Sequence, residues 1–225
     1  MDSKIKIALV LSGQTNFGLF CYPYIYDNFI NIPFDVDVFI HTWQNNLCTK
    51  LYNPKKIITE KQDDKLINQI LFDFHLEESV VKDAKIPNFL LMHYSLSKSF
   101  SQVPEDYDII IRCRFDFFAK KTDWSFVLDD LMSNKYDIFV PDIVENWNGL
   151  QDRLAIGNYS SMNIYCNTFE KIKYLANKYN YLHPERILKF NLEENKIRVF
   201  QKNLFFHSII KKVRFINQNF EEFDL

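Results

Sequence analysis

Short runs of apolar, often β-branched residues alternate along this chain with segments whose apolar residues recur every three or four positions. The first pattern is typical of buried strands and the second of amphipathic helices. Apolar runs predict strands at KIKIALVLSG (4–13), FDVDVFIHTW (34–43), KKIITEK (55–61), YDIIIRCRFDF (107–117), YDIFVPD (136–142) and KIRVFQ (196–201). Helices are predicted near 19–30, 63–74, 87–100, 125–132, 158–178 and 184–195, and the stretch 143–157 shows no regular pattern.

Strands and helices alternate through the first 141 residues, which predicts an α/β fold with a mostly parallel central sheet flanked by helices. The length of 225 residues suits one domain, and no repeat, low-complexity tract or Gly/Ser linker divides the chain. We therefore expect a single domain over residues 1–225.

Composition narrows the functional classes. The chain is 47% hydrophobic and 25% charged with a net charge of -2, which indicates a soluble globular protein and gives no electrostatic reason to expect nucleic-acid binding. No apolar run approaches the ~20 residues that span a bilayer, and the start of the sequence lacks the shape of a signal peptide. The four cysteines include no CxxC pair, and we interpret them as buried, reduced thiols. These features favour a cytoplasmic protein without a transmembrane segment.

The strand at 107–117 contains charges that need an explanation. Because side chains alternate along a strand, Arg112, Arg114 and Asp116 are expected on one face. A buried charge costs several kcal/mol unless it is paired or bound. The residues alone leave two explanations open. One is an internal salt bridge, and the other is a ligand, since guanidinium groups match a diphosphate and a carboxylate can hold a divalent metal.

Polar groups also follow two other predicted strands. In doubly wound sheets, ligands bind beyond the carboxyl ends of the strands. The groups predicted at this edge of the sheet are Ser12, Gly13 and Gln14 after the first strand, His41, Thr42 and Trp43 after the second, and Arg112 to Asp116 in mid-chain.

Common catalytic motifs are absent from the sequence. It contains no Walker A motif, GxGxxG, HExxH or GxSxG, and its five histidines have no zinc-like spacing. His75 and His93 are interpreted as ordinary helix-surface or packing residues.

Four segments occur in an order that resembles a known family. They are ALVLSGQT (8–15), DVDVFIHTW (35–43), YDIIIRCRFDF (107–117) and GLQDRLAIGNYSSMNIY (149–165), and FLLMHYSLSKSF (89–100) also matches. The chain resembles small bacterial and viral glycosyltransferases of the GT-A type, akin to those that build capsular or lipopolysaccharide glycans. The resemblance implies a single GT-A-like, Rossmann-like domain, with a nucleotide-binding half at 1–116 and an acceptor-side half at 117–225.

The resemblance also implies roles for individual residues on the donor side. Residues 12–14 would lie against the nucleotide, although Asn16 stands where the family often has a basic residue. Residues 41–43 would flank the base or ribose. Ser95 and Lys98 would reach the donor sugar or diphosphate, with a solvated helix lysine as the alternative for Lys98.

The implied catalytic groups are carboxylates. Asp116 would bind Mn²⁺ or Mg²⁺ as the last residue of a DXD-like motif, but the sequence reads Arg-Phe-Asp where such enzymes often have two acids. Either one carboxylate suffices, or Arg114 partly replaces the charge of the metal. Asp152 is the candidate general base, with a surface pair between Asp152 and Arg153 as the alternative. His207 is a further candidate metal ligand, although a core or surface histidine is the simpler interpretation.

The expected activity is therefore a hexosyltransferase-like transfer of a sugar from a nucleotide-diphosphate donor to a glycan or glycolipid acceptor. Two alternatives stay open: a non-catalytic nucleotide- or carbohydrate-binding module, and a sugar nucleotidyltransferase, which the Gly-poor first loop disfavours. The aromatic and lysine-containing segment 205–215 leaves peripheral membrane contact open, but we favour a role in covering the sheet.

Overall fold

The computed structural model describes residues 5–43, 47–74, 86–118, 121–142 and 148–202. The strands in this part of the chain are β1 (Lys6–Gly13), β2 (Asp35–Thr42), β3 (Lys56–Thr59), β4 (Ile109–Arg114), β5 (Ile138–Pro141), β6 (Leu154–Gly157) and β7 (Val199–Lys202). The helices are α1 (Gly18–Ile25), α2 (Leu47–Leu51), α3 (Asp64–Phe74), α4 (Ile86–Phe100), α5 (Ser125–Met132), α6 (Tyr159–Cys166), α7 (Ile172–Tyr179) and α8 (Pro184–Glu194).

One sheet contains all seven of these strands, in the order β3-β2-β1-β4-β6-β5-β7. β3, β2, β1 and β4 are parallel, β6 runs antiparallel to both of its neighbours, and β7 is parallel to β5. The predicted α/β fold with a mostly parallel sheet flanked by helices is confirmed.

Helices cover both faces of the sheet, which explains why β1 is a continuous apolar run. Its residues 7–11 are 0% exposed, as expected for a parallel strand buried on both faces. On one face, Leu9 belongs to a core cluster with residues of α1, α2 and α5. On the other, Val10 belongs to a cluster with residues of α4, α6 and α8. A third cluster joins α3, α4 and α7 around Trp43.

Three local predictions were wrong. β6 lies in the stretch for which no regular element was predicted, and the short α2 was not predicted. The single helix expected over 158–178 is interrupted by a 3₁₀ turn at Asn167–Lys171. There, the Thr168 hydroxyl donates to the carbonyl of Tyr165 (2.8 Å), and the Asn191 amide donates to the carbonyl of Ile164 (2.8 Å). Side chains thus bind carbonyls that a continuous helix would use for its own backbone.

The start of α6 agrees with the sequence. The side chain of Asn158 accepts a hydrogen bond from the backbone N–H of Ser161 at 2.9 Å, as a helix cap does. Across the described part of the chain, no helix is both long and apolar enough to cross a bilayer.

Candidate functional site

The three groups predicted at the carboxyl ends of the strands lie side by side. Ser12 at the end of β1 is the register partner of His41 on β2 and of Arg114 on β4. Gly13 is the partner of Thr42. Because β2, β1 and β4 are adjacent and parallel, their ends meet at one edge of the sheet, as predicted.

Arg112 is buried inside the fold, at 1% exposure. It shares a face of β4 with Ile110, whose core cluster contains α4 and α6. Its Nη1 donates to the carbonyl oxygen of Arg153 at 2.7 Å, whereas its Nε–H has no hydrogen-bond partner within the described part of the chain. The guanidinium is therefore only partly satisfied by the protein.

Arg114 forms the internal ion pair that the sequence left open. Its Nε and Nη2 donate to the two carboxylate oxygens of Asp116 at 2.8 and 2.6 Å. Its Nη1 lies 3.6 Å from Oδ2 of Asp152. Burial opposes the charge of Arg114, but the two carboxylates outweigh that effect and raise its pKa. The guanidinium is thus held between two acids.

Asp152 is a buried acid, since it is only 8% exposed. The alternative of a surface pair with Arg153 was therefore wrong. Burial alone would raise the pKa of Asp152, but the charges of Arg114, Arg112 and Arg153 lower it below its ordinary value. The carboxylate is therefore ionised at neutral pH.

The backbone around Asp152 is fixed from two sides. The carbonyl of Arg153 accepts from the N–H of Arg114 at 3.1 Å, which extends the pairing of β4 with β6. The N–H of Leu150 donates to the carbonyl of Glu185 at 2.9 Å, at the start of α8. A side chain at Gly149 would lie 2.4 Å from the backbone of Glu185, so only glycine fits there. The acid is thus held by the sheet and by a helix terminus.

Two further residues near Asp152 were not recognised from the sequence. His93, on α4, is 1% exposed, and neither ring nitrogen has a hydrogen-bond partner among the residues that the structure describes. Burial lowers its pKa to about 4, and it lies within electrostatic range of Asp152 and Arg112. Gln151 is 2% exposed, and both polar atoms of its amide are without a partner in the same described ranges. Such unpaired buried groups are rare in folded proteins.

A usable signal existed for only one of these two residues. His93 lies four residues after Phe89 and three before Leu96, so it interrupts an apolar helix face, and an imidazole there calls for a reason. For Gln151, the sequence offered no signal other than its position beside Asp152.

His41 and Ser95 bind each other. Nδ1 of His41 lies 2.7 Å from Oγ of Ser95, and Nε2 lies 3.1 Å from Oε2 of Glu60. His41 and Ser95 are both 0% exposed. Burial lowers the pKa of His41, and the opposing effect of Glu60 is smaller. In this arrangement both residues join β2 to α4, and the predicted contact of Ser95 with a donor would require its bond to His41 to change.

Trp43 and Lys98 both contact the ring of Tyr94. The rings of Trp43 and Tyr94 are stacked, with centroids 6.1 Å apart, and Nζ of Lys98 lies 5.3 Å from the centroid of Tyr94. Trp43 is 8% exposed. Lys98 thus lies close to the end of β2, and Tyr94 contacts the ring of Trp43, which was expected to flank the base or ribose.

The loop after β1 offers open backbone. Gly13 has a φ of +104°, and a side chain there would meet no atom within 4 Å. The side-chain carbonyl of Gln14 accepts from the amide of Asn16 at 3.1 Å, and the Gln14 amide donates to Gln62 at 3.4 Å. A ligand could therefore approach the backbone of Gly13 closely.

The arrangement does not fit a divalent metal at Asp116. Both of its carboxylate oxygens already accept short hydrogen bonds from Arg114, and a metal ion there would lie beside a guanidinium. Within the described residues, no group of three or more His, Cys, Asp or Glu side chains could hold a metal. His207 and His75 lie outside the described residues.

No family model matches the chain, and no curated protein does. Solved structures match over most of its length. A mutant of LgtC altered in its active site has a TM-score of 0.53 at 7% identity, covering 88% of this chain and 73% of that chain. The apo form of the glycosyltransferase GlyE from Streptococcus pneumoniae TIGR4 has a TM-score of 0.51 at 10% identity, covering 87% of this chain and 45% of that chain. The fold is therefore GT-A-like. Mouse xyloside xylosyltransferase 1 is a further match, with a TM-score of 0.49 at 11% identity, covering 88% and 84%.

Proposed function

We propose that this protein transfers a sugar from a nucleotide-diphosphate donor to a hydroxyl group of a glycan acceptor. The observation that carries the proposal is the group formed by Arg112, Arg114 and Asp152, where cations and an ionised acid meet at the carboxyl ends of parallel strands. The GT-A-like fold is consistent with this chemistry, but the same fold can serve other functions, so the site has to support the argument.

The donor would lie along the ends of β1, β2 and β4. The open backbone at Gly13 would approach the nucleotide, and Lys98 and Trp43 would flank it at the end of β2. Arg112 and Arg114 would stabilise the diphosphate as it leaves, because charge that is already oriented lowers the energy of a transition state in which negative charge develops. Under this proposal, residues 1–116 supply most of the donor site and residues 117–225 the acceptor side.

Asp152 would serve as the general base. The acceptor oxygen forms a bond to the anomeric carbon, the bond from that carbon to the diphosphate oxygen breaks, and the hydroxyl proton passes to the carboxylate of Asp152. Its lowered pKa keeps the carboxylate ionised over the physiological range, so it is ready to accept that proton as the new bond forms.

Gln151 and His93 would bind sugar hydroxyls. An unpaired buried polar atom costs about 1–3 kcal/mol, so groups of this kind gain most from a partner that arrives with a ligand. The Gln151 amide offers a donor and an acceptor, and a neutral His93 ring offers one of each. Hydroxyl groups of a sugar are both donors and acceptors and match this combination.

The narrower feature of the proposal, an acceptor of the capsular or lipopolysaccharide kind, rests on the sequence resemblance. The resemblance also implied Mn²⁺ or Mg²⁺ at Asp116. The residues around Asp116 do not fit the metal as they are arranged, so no step of the proposed reaction is assigned to it.

Thermal unfolding with UDP, GDP, CMP and dTDP tests the donor site. A ligand at ~100 times its dissociation constant stabilises the fold by about 2.7 kcal/mol, which shifts the midpoint by several degrees. We expect one nucleotide to give such a shift. No shift with any of them would refute the proposed function.

The variant Asp152→Asn separates catalysis from binding. With the nucleotide sugar that binds, we expect turnover to fall about 100- to 10,000-fold while nucleotide affinity changes little. Asp129→Asn, at an exposed position on α5, is the matched control and should keep full activity. Nucleotide binding without any turnover in the unaltered protein would instead favour a non-catalytic binding module.

A further inference from the structure

We propose that arginine side chains replace the divalent metal at the donor diphosphate of this protein. Arg114 would contact the diphosphate oxygens directly, Arg112 would add positive charge from its buried position, and Asp116 would act as a positioning residue for Arg114 and not as a metal ligand. This inference rests on the proposed function, because it names the charge that the same site would use.

The carboxylate of Asp116 is already paired. Asp116 accepts two short bonds from Arg114, at 2.8 and 2.6 Å, so both oxygens face a guanidinium. A metal bound there would require Arg114 to leave, because two cations within a few ångströms repel each other strongly in a partly buried site. The other acid near Arg114 is Asp152, which lies 3.6 Å from its Nη1.

Two guanidinium groups near the site have an unused donor. The Nε–H groups of Arg112 and Arg153 are buried and have no hydrogen-bond partner among the described residues. Arg112 is 1% exposed, so its unpaired donor is held inside the protein. Guanidinium groups bind phosphate oxygens through several N–H groups at once. Positive charge that the protein pairs only in part thus lies at this site, whereas the carboxylate that would hold a cation is already paired.

An arginine occupies the first acidic position of the DXD-like motif. Arg114 stands where a DXD-like motif would have its first acid, and the structure shows that this arginine is bound to the last one. The substitution removes a ligand and adds a cation at the same place. The bidentate pair fixes the plane of the guanidinium and leaves Nη1 on the side of Asp152.

The decisive measurement is the affinity of the unaltered protein for UDP, GDP and dTDP by calorimetry, in EDTA, in Mg²⁺ and in Mn²⁺. We expect the dissociation constant of the nucleotide that binds to differ by less than about threefold among the three conditions. A loss of tenfold or more in EDTA would overturn the inference and leave the proposed function standing. No binding under any condition would overturn both.

Variants then test whether the guanidinium of Arg114 supplies the positive charge at the diphosphate. Arg114→Lys keeps the charge but loses the paired N–H groups, and we expect about 10- to 100-fold weaker nucleotide binding in EDTA. Arg198→Lys is the matched control, since Arg198 forms a similar two-bond pair with Asp137 at an exposed position, and it should leave the affinity unchanged.

Asp116→Asn separates a positioning residue from a metal ligand. The amide oxygen can still accept from Arg114, so we expect a loss of nucleotide affinity smaller than that of Arg114→Lys, equal in EDTA and in Mn²⁺. If Mn²⁺ strengthens binding to the unaltered protein and this gain disappears in Asp116→Asn, Asp116 is a metal ligand and the inference is wrong. The comparison in EDTA needs no variant, so it holds even if one of the substitutions prevents folding.

Discussion

At the scale of single residues, the buried charges of β4 depend on one another. Arg112 donates to a backbone carbonyl, Arg114 is held by Asp116, and the lowered pKa of Asp152 comes from the arginines around it. Removing one member of such a group leaves another buried charge unpaired, which costs about 3–5 kcal/mol. Conservative variants such as Arg to Lys or Asp to Asn are therefore the informative ones.

His93 predicts a specific dependence of stability on pH. Its pKa in the folded protein is about 4, against an ordinary value of 6.5. Between these values the unfolded chain binds a proton that the folded protein does not, so the free energy of unfolding falls as the pH drops from 6.5 to 4. The pKa difference corresponds to a loss on the order of 3 kcal/mol. We expect His93→Leu to remove this part of the pH dependence in urea unfolding.

The same variant tests whether His93 needs a partner. Because neither ring nitrogen is hydrogen-bonded, replacing the ring with an apolar side chain should keep or raise stability at pH 7. The lowered pKa values of His41 and His183 are common to both proteins, so the difference between the two curves isolates His93. A His93→Leu protein with the full pH dependence of the unaltered protein would contradict the prediction.

At the scale of elements, the sequence predicted the strands and the side-chain directions that follow from a local pattern of apolar and polar residues. The apolar runs located six of the seven described strands, and alternation along β4 predicted that Arg112 and Arg114 share a face. The sequence pattern did not locate β6. Its four residues, LAIG, are too few to show a period, and the strand is identified only by its pairing with β4 and β5. The positions of Glu60 and Gln151 beside the site are likewise set by tertiary contacts.

The contact between the turn at 148–150 and the start of α8 predicts the effect of a substitution at Gly149. A methyl group there would lie 2.4 Å from the backbone of Glu185, so the turn or the helix must move. We expect Gly149→Ala to lower the free energy of unfolding by about 1–3 kcal/mol, as overpacking does. Because Asp152 follows three residues later, turnover should fall as well. Urea unfolding and donor turnover measure the two effects.

Gly13→Ala is the informative comparison for Gly149→Ala. Gly13 has open space around its Cα but a φ of +104°, so alanine there meets a cost in backbone conformation and no clash. Any loss of stability in Gly13→Ala should therefore come from its backbone conformation and not from a contact with α8. If Gly149→Ala leaves both stability and turnover unchanged, the turn is not fixed by its contact with α8.

At the scale of the whole molecule, the two proposed halves share one sheet, and each of the three core clusters contains residues of both halves. β4 from the first half pairs with β6 from the second over four residue pairs, Ile110↔Gly157 to Cys113↔Leu154. The core cluster that contains Leu9 also contains Val127 and Leu154. The site shares this dependence, since Arg114 comes from one half and Asp152 from the other. The halves can differ in function without being separate folding units.

This shared core predicts that the halves unfold together. Trp43 lies in the cluster of α3, α4 and α7, Trp124 lies in the cluster that contains β1 and α5, and both are buried. Two variants each keep one reporter: Trp124→Phe with Trp147→Phe, and Trp43→Phe with Trp147→Phe. In each variant, we expect the midpoint of urea unfolding by fluorescence to coincide with that by far-ultraviolet circular dichroism.

If the Trp43 signal changes at a lower urea concentration than the circular dichroism of the same variant, its cluster opens first. Because that cluster contains residues of α3, α4 and α7, the less stable unit would then include parts of both halves. Coincident transitions in both variants would mean that the two clusters unfold in one step, as expected for halves joined by the pairing of β4 with β6.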